Sequence, residues 1–169
     1  MRKKRFAICG LSTRGVYHFV LPIIGKNGEG GTNFSDRAEI VGILDIDKTR
    51  VETFTKKVGL NAPFYPADGL KQMLKDTQPD VAIVTGPDST HCDHTVGALQ
   101  FGCDAITEKP MVIDCAQVRR VKAAETKSGH AVKVAFNYRY QPTMKTLKKF
   151  ILDGTLGRIV NVEFIYNLD

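Results

Sequence analysis

The chain has 169 residues, 43% of them hydrophobic and 25% charged, which describes one folded globular domain with a full core. The longest apolar runs are far shorter than a membrane span and the basic start lacks the apolar core of a signal peptide, so we expect a cytoplasmic protein with no membrane partner. The net charge of +6 is scattered and not interleaved with aromatic residues, which fits a phosphate-bearing small molecule at least as well as nucleic acid, and we expect no nucleic-acid partner.

The first half of the chain alternates strand-like apolar runs with segments of helical periodicity. In order, we predict a strand (5–9), a helix (15–24), a polar, glycine-rich surface loop (25–37), a strand (38–44), a helix (48–58) and a short strand (64–65). Val51, Phe54 and Val58 are spaced to lie on one face of the second helix. This alternation is typical of strand–helix–strand units.

The second half repeats the alternation with clearer helix ends. We predict a helix (69–76), a strand (80–85), a helix (89–101), a strand (103–107), a helix (114–127) and a strand (131–136). Asp68 is the expected N-cap of the first of these helices, and Asp88 or Ser89 of the second, while Gly102 and Gly129 follow helix ends. Strands separated by helices predict right-handed βαβ units, so the fold class is α/β with a doubly wound parallel sheet.

The last segment departs from this pattern. A helix over 142–153 begins at Pro142 and ends at Gly154, and residues 157–166 alternate like a strand with one wet face. A terminal strand needs sheet neighbours, so we expect the chain to be part of a longer protein, with homo-oligomeric pairing as the alternative. The expected domains are residues 1–137, and residues 138–169 as a linker helix and the first strand of an incomplete second α/β domain.

The four cysteines show no metal-binding or redox spacing. They are Cys9, Cys92, Cys103 and Cys115, and three of them lie in or beside apolar periodic segments. Reduced, mostly structural thiols are therefore expected.

The turn after the first strand reads G-x-S-x-x-G from Gly10 to Gly15. In a dinucleotide-binding turn the first glycine makes the tight bend and the last lets helix and strand pack closely, while here Ser12 replaces the middle glycine. A small hydroxyl residue still allows close approach and could bond a phosphate at the helix N-terminus. We assign Gly10, Ser12, Thr13, Arg14 and Gly15 to cofactor binding; a turn that serves only packing is the alternative.

An acid is expected at the end of the second strand, where it would accept hydrogen bonds from the adenosine ribose. Asp45 lies there, 30 residues after Gly15, and the polar loop accounts for the long spacing. Asp47 is the competitor, but it could cap the next helix instead. A carboxylate here favours NAD over NADP, although Lys48 and Arg50 keep NADP open.

The segment after the fourth predicted strand carries a second set of small and polar residues. We expect it to line the cofactor cleft, and the residues assigned to it are Thr85, Gly86, Pro87, Asp88 and His91. The histidines at 91 and 94 with Asp93 between them also suggest a metal. No third ligand is set by spacing, so we expect no metal site.

The triplet Glu108-Lys109-Pro110 follows the fifth predicted strand, at the same sheet edge as the glycine turn. Charged residues often end strands at a surface, and proline stops a strand, so a purely structural role is one interpretation. The other is catalytic: a lysine desolvated by a bound nicotinamide could transfer a proton. We favour Lys109 as the acid/base group and assign both Glu108 and Lys109 to cofactor binding as well.

Taken together, these motifs resemble the Gfo/Idh/MocA family of oxidoreductases. The motifs are the turn 10–15, Asp45, the segment 85–88 with His91, the triplet 108–110, and Phe136-Asn137-Tyr138-Arg139-Tyr140-Gln141-Pro142. The resemblance implies a nicotinamide-binding Rossmann domain over 1–137, followed by a second domain that holds sugar or cyclitol substrates and mediates oligomers. It also implies that Lys109 is the acid/base or substrate-positioning group, and that Asn137 and Arg139 lie near nicotinamide and substrate.

The chain departs from the family pattern at Ser12, at Gly86 and in the 25–37 insertion. The implied function is hydride transfer between a nicotinamide cofactor and a sugar or cyclitol hydroxyl. Two alternatives stay open: a glycosidase of the same family that uses bound NAD transiently, and a non-catalytic nucleotide-binding sensor. The resemblance places further catalytic groups and the oligomer contacts in a domain that this chain lacks, so we expect weak cofactor binding and no measurable catalysis from the chain alone.

Overall fold

The computed structural model describes residues 2–26 and 31–165, and its six strands form one parallel sheet. The strands are β1 (Lys4–Cys9), β2 (Ala38–Leu44), β3 (Phe64–Tyr65), β4 (Val81–Val84), β5 (Asp104–Thr107) and β6 (Val132–Val134). Their order in the sheet is β3-β2-β1-β4-β5-β6, which confirms the doubly wound α/β fold. The order reverses between β1 and β4, and in such sheets ligands bind at the carboxyl ends of the strands beside this switch point.

The strand register aligns the carboxyl ends of the four central strands. β1 pairs with β2 and β4, and β4 with β5, so that the paired last residues are Cys9, Leu44, Val84 and Thr107. The residues that follow them are Gly10, Asp45, Thr85 and Glu108. Residues far apart in the sequence therefore meet at one sheet edge.

The helices lie where helical periodicity predicts them, within one or two residues at most ends. They are α1 (Thr13–Gly15), a π-helical stretch (Val16–Val20), α2 (Leu21–Ile23), α3 (Lys48–Val58), α4 (Leu70–Thr77), α5 (Asp88–Phe101), α6 (Cys115–Ser128), a 3₁₀ turn (Asn137–Tyr140) and α7 (Pro142–Leu152). Among the described residues, no helix is both long enough and apolar enough to cross a bilayer.

The first three of these elements form one continuous helical segment, α1 to α2. It contains a π turn in which the Leu21 N–H bonds to the Val16 carbonyl, five residues back. Pro22 follows and has no N–H, so the regular hydrogen-bond ladder is interrupted at this point. In the polar loop that comes next, residues 27–30 lie outside the described part, and Phe34 bonds back to the Pro22 carbonyl.

Two aspartates cap helices, but the caps that we expected for α4 and α5 are wrong. Asp47 accepts from the Arg50 N–H at the start of α3, and Asp114 accepts from the Gln117 N–H at the start of α6. At α4 the N-cap position belongs to Gly69, without a side-chain bond, and Asp68 is exposed.

The expected cap of α5 by Asp88 or Ser89 is also wrong. Pro87 takes the cap position in an extended conformation, with no side-chain bond, and Asp88 becomes the first helical residue. A carboxylate in the first turn still favours the helix, because it faces the positive end of the macrodipole. Gly102 and Gly129 close α5 and α6 in left-handed conformations, as expected.

Apolar side chains fill both faces of the sheet, and β4 is buried along its whole length. Three cysteines belong to this core: Cys9, Cys92 and Cys103, while Cys115 is exposed. Burial raises the pKa of Cys9 to about 12 and that of Cys103 to about 11, so both thiols stay protonated near neutral pH. All four cysteines are free, in agreement with reduced, mostly structural thiols.

Packing divides the chain into two compact units, Met1–Ala135 and Phe136–Asp169. The second unit contains the 3₁₀ turn, α7 and the segment that was expected to form a strand over 157–166. Residues 157–165 form no strand, and Tyr166 lies outside the described residues. Val160, Val162 and Phe164 are exposed, and within the described residues no strand lies beside them to complete a ladder, so the expected strand of a second domain stays a prediction.

Candidate functional site

The turn after β1 depends on contact between two glycine backbones. Gly10 has φ +93°, and a Cβ on it would lie 2.4 Å from the Gly86 Cα. The Thr85 hydroxyl donates to the Gly10 carbonyl at 2.6 Å, and a Cβ on Gly15 would lie 2.4 Å from that same hydroxyl oxygen. Gly86, a departure from the family pattern, therefore belongs to the glycine turn in space. Thr85 is buried, and its hydrogen bond to the Gly10 carbonyl holds this turn in place.

Ser12 caps the first helical segment. Its Oγ accepts from the Gly15 N–H at 3.1 Å, which leaves its hydroxyl proton to donate elsewhere. The first N–H groups of a helix have no partner within the helix and attract anions. Ser12 thus fills the place of the middle glycine with a residue that both forms the turn and can donate to a phosphate.

Asp45 lies at the end of β2 with its side chain only 2% exposed. Its Oδ2 accepts from the Leu11 N–H at 2.7 Å, and its Oδ1 accepts from the Asp47 N–H at 2.9 Å and from Arg50 at 2.6 Å. Burial opposes ionisation, but these backbone bonds and Arg50 outweigh it and lower the pKa of Asp45. The carboxylate is therefore charged and fixed, with one lone pair on Oδ2 still free by this count to accept a hydroxyl.

The Glu108-Lys109-Pro110 triplet lies at the same sheet edge. Glu108 is buried; its Oε2 accepts from the Lys109 N–H at 3.2 Å, and its Oε1 lies 3.8 Å from Nε of Arg14 on the first helical segment. The Lys109 side chain is exposed, and the Lys109–Pro110 peptide bond is cis. The structure thus ties the predicted acid/base residue to the glycine turn through its neighbour Glu108.

His91 does not have the position expected of a cofactor contact. It is 1% exposed, with Nδ1 2.7 Å from the Pro110 carbonyl and Nε2 2.9 Å from the Gly86 carbonyl. The imidazole is enclosed between two turns of the backbone. The His91 side chain does not face a cavity, so its position gives no support to the assignment of His91 to the cofactor.

A cavity of about 530 Å³ opens beside the glycine turn. The predicted residues among its lining are Gly10, Ser12, Asp45, Gly86 and Pro87. The residues that sequence reasoning did not assign to the site are Leu11, Leu44, Ile46, Arg50, Ala67, Thr90 and His94. The sequence held one indication of this lining, because the apolar Ile46 comes directly after the predicted acid. In the structure Ile46 is 87% exposed beside the cavity.

The other predicted site residues lie outside this lining. Thr13 and Asp88 are exposed at the starts of their helices. Asn137 and Arg139 belong to the 3₁₀ turn of the second unit, the former half-buried and the latter exposed. Their assignment to cofactor and substrate stays a prediction.

Size alone does not select this cavity. A cavity of about 570 Å³ lies at the opposite, amino-terminal end of β1, beside Arg2, Lys4 and Arg37, and one of about 610 Å³ lies on α5 and α6. What distinguishes the cavity at the glycine turn is its chemistry: a close backbone approach, a helix start and a buried carboxylate, all at the switch point of the sheet.

His94 contributes a polar wall to the cavity. Burial lowers its pKa, against the opposing effect of Asp93, so the imidazole is neutral near pH 7. Its Nδ1 is buried and has no hydrogen-bond partner among the residues that the structure describes. The histidines are not arranged around a metal: within the described ranges no group of three or more His, Cys, Asp or Glu could hold one, and Asp93 pairs with Arg120.

Residues 4–136 match the model of Gfo/Idh/MocA, an oxidoreductase family with an NAD-binding Rossmann fold. YteT of Bacillus subtilis (strain 168), which is named as an oxidoreductase, is 39% identical over 168 residues, covering 98% of this chain and 38% of YteT. Inositol 2-dehydrogenase of Klebsiella pneumoniae (strain 342) is 32% identical over 121 residues, covering 71% of this chain and 35% of that enzyme.

Solved structures share the fold. The WlbA dehydrogenase of Chromobacterium violaceum, in complex with NADH and UDP-GlcNAcA, has a TM-score of 0.79 and 26% identity, covering 94% of this chain and 42% of that one. The chain thus spans about two fifths of the length of YteT and of WlbA.

Proposed function

Because this chain belongs to the Gfo/Idh/MocA family of oxidoreductases and carries an NAD-binding Rossmann domain, we propose that the whole protein transfers a hydride between NAD and a hydroxyl of a sugar or cyclitol. The observation that carries the proposal is the cavity beside Gly10, where the touching glycine backbones and the buried Asp45 meet. A non-catalytic sensor would not need Lys109 on an anchored turn at the same edge.

The residues present fit NAD. A Cβ at Gly10 would collide with the Gly86 backbone, so glycine at this position keeps the two turns together where they line the cavity, and a pyrophosphate would lie in that cavity. Ser12 and the free N–H groups of the helix start would bind the phosphates, and the spare lone pair of Asp45 would accept a ribose hydroxyl. The exposed Ile46 would cover an apolar face of the adenine.

Oxidation of a secondary alcohol removes a hydride from carbon and a proton from oxygen. Bound NAD would supply the hydride acceptor. Lys109 Nζ would take the hydroxyl proton as an amine, or return it as an ammonium in the reverse direction. Glu108 fixes the backbone from which this side chain projects, since it is held by Arg14 and by the Lys109 N–H.

The finer parts of the proposal rest on the relatives and on composition. Relatives named D-glucoside 3-dehydrogenase and inositol 2-dehydrogenase support sugars or cyclitols as substrates. We also propose a cytoplasmic location, a homo-oligomer formed through parts of the whole protein beyond this chain, and domains at 1–137 and 138–169. The substrate contacts assigned to Asn137 and Arg139 belong to the same proposal.

The cofactor part is tested by titrating the chain with NADH and following nicotinamide emission, which no tryptophan obscures here. We expect saturable binding between micromolar and millimolar concentrations, because only part of the site is present. Asp45→Ala should weaken it, whereas Asp36→Ala, at the opposite sheet edge, should not. Absence of saturable binding at millimolar NADH would contradict the proposal.

The hydride-transfer part is tested on the whole protein, with NAD and a panel of sugars and cyclitols, by the appearance of NADH absorbance. We expect turnover with at least one member of the panel and loss of turnover by orders of magnitude in Lys109→Ala, with NADH affinity nearly unchanged. Turnover equal to that of the native protein in Lys109→Ala would remove Lys109 from the mechanism.

A further inference from the structure

His91 is a buried histidine that the proposed chemistry does not use. It lies in the first turns of α5, 1% exposed, and both ring nitrogens are within hydrogen-bond distance of backbone carbonyls. Backbone carbonyls only accept, so the ring must be the donor in each bond. A neutral ring, with one N–H, makes one of these bonds, and a protonated ring makes both.

The two carbonyls belong to turns that serve different parts of the site. Gly86 is the residue whose Cα would lie 2.4 Å from a Cβ on Gly10, so position 10 tolerates no larger residue without displacement of this backbone. Pro110 is the residue directly after Lys109. The imidazole therefore joins the turn that forms the floor of the cofactor cavity to the turn that carries the acid/base lysine.

The backbone on the other side of Lys109 is anchored as well. Glu108 accepts from the Lys109 N–H, lies 3.8 Å from Arg14, and donates its own N–H to the Val84 carbonyl at 2.9 Å. The Lys109 side chain itself is exposed. Its direction is set from the backbone, which is fixed before it by Glu108 and after it by His91.

We propose that His91 is a positioning residue: its rigid ring spans the gap between the Gly86 and Pro110 carbonyls, donates to at least one of them, and so holds the Lys109 turn at a set distance from the cofactor turn. This inference rests on the proposed function, since it assigns to Lys109 the proton transfer described above. A displacement of about 1 Å at a reacting group can cost on the order of 100-fold in rate, so the bridge matters for turnover more than for binding.

The test is a double-mutant cycle in the whole protein. His91→Gln and His91→Asn keep amide donors, but all their N–H bonds leave from one atom, so neither can span the two carbonyls. We expect kcat to fall about 10- to 100-fold, with the KM for NAD within about 3-fold of native. In a Lys109→Ala background the same changes should cause no further loss, because there is no lysine left to position.

The matched control is His130→Asn. His130 lies at the opposite sheet edge, 3.2 Å from an Asp104 oxygen, and its replacement should leave both kinetic constants unchanged. Equal losses from His91→Gln with and without Lys109 would overturn the proposal, and so would native kcat in His91→Gln. If Lys109→Ala alone retains full turnover, the acid/base assignment fails first, which the cycle shows separately.

If both variants unfold, the native 169-residue chain decides. Ring N–H protons of His91 that exchange slowly in a long-range ¹H–¹⁵N spectrum would support the bridge, because solvent-exposed imidazole protons exchange too fast to be seen. Rapid exchange at both ring nitrogens would overturn it.

Discussion

The close contact between the Gly10 and Gly86 backbones requires glycine at position 10, because any other residue there would place a Cβ against Gly86. Two separate costs fall on a substitution at Gly10: a left-handed φ, and a Cβ placed 2.4 Å from backbone. The first cost is common to many glycines, while the second is specific to the site. The two can be separated by experiment, because the chain contains another glycine with a similar φ and open space around it.

Gly10→Ala is expected to destabilise the chain by more than Gly102→Ala and to abolish NADH binding. Gly102 has φ +100°, and a Cβ there would meet only a His130 ring atom at 3.8 Å, so its replacement costs about 1–2 kcal/mol of backbone strain alone. Urea unfolding of both variants and NADH titration check this. Equal destabilisation in the two variants would mean that the turn yields to the added methyl group.

Arg50 places a cation beside Asp45, at the end of the cavity where we propose that the adenosine ribose binds. It is half exposed, bonds to the buried Asp45 and lines the cavity, so that a 2′-phosphate placed there would meet a cation as well as an anion. We expect Arg50→Ala to weaken NADPH binding at least 10-fold and to change NADH binding by less than about 3-fold, since the bare carboxylate then repels the extra phosphate.

Lys48→Ala is the matched control for Arg50→Ala, because Lys48 is an exposed cation of the same helix that pairs with Glu52 instead. Its two cofactor affinities should fall together or not at all. An equal loss of NADH and NADPH in Arg50→Ala would show that Arg50 acts by supporting Asp45, without discriminating between the cofactors.

At the scale of elements, hydrophobic period and glycine positions were sufficient to place most of the sheet and helices. The bounds of β2, β3 and α3 in the structure are the same, to the residue, as those predicted from the sequence. Capping was less predictable because it depends on the backbone angle of one residue: Asp47 and Asp114 have extended angles and cap, whereas Asp68 precedes Gly69, which takes the cap position itself.

Asp114→Ala should therefore destabilise the chain by about 1 kcal/mol, whereas Asp68→Ala should change the free energy of unfolding by less than about 0.5 kcal/mol. The first loses the bond from the Gln117 N–H to the Asp114 carboxylate at 2.8 Å, and the second loses no capping bond. Chemical denaturation of the two variants measures the difference. A larger effect at Asp68 would reverse the assignment of the caps.

The limits of sequence reasoning at the site have a similar origin. The common position of Gly10, Asp45 and Lys109 at one sheet edge could be predicted, because strand ends of a parallel sheet meet there, which follows from topology alone. The burial of the His91 side chain could not be predicted, because its sequence position, one turn into α5, fits both a cavity wall and a buried bridge. Only the rotation of α5 about its axis separates His91 from His94, and no local pattern encodes that rotation.

Over the whole molecule, three aspartates connect neighbouring strands of the sheet. Asp45 connects the end of β2 to the turn after β1, Asp80 accepts from the Arg5 N–H at the start of β1, and Asp104 accepts from the Ala131 N–H before β6. Backbone N–H groups and nearby cations lower the pKa of all three, against burial that opposes ionisation. Charged carboxylates therefore connect neighbouring strands at both ends of the sheet.

From the lowered pKa values of these three carboxylates we predict how the free energy of unfolding depends on pH. Their pKa values are lower in the folded chain than in the unfolded chain, so the unfolded state binds more protons in acid and stability falls with falling pH. The contribution is fully present above the unfolded value near 4 and is lost as the pH passes down through the folded values. Thermal unfolding between pH 7 and pH 3, by these approximate limits, should show a level Tm above about pH 5 and a steep fall below it.

Asp80→Asn should flatten that fall, because it removes one of the three linked protonations while keeping the size of the side chain. It should also lower the Tm at neutral pH, because the amide has no charge and only one acceptor oxygen in place of the two that bond the Arg5 N–H and Arg2. Asp68→Asn removes the same charge from an exposed position that accepts no hydrogen bond within the described residues, and it should leave the profile unchanged. If both variants keep the native slope, acid unfolding begins at other groups, and the carboxylates at the strand ends do not control it.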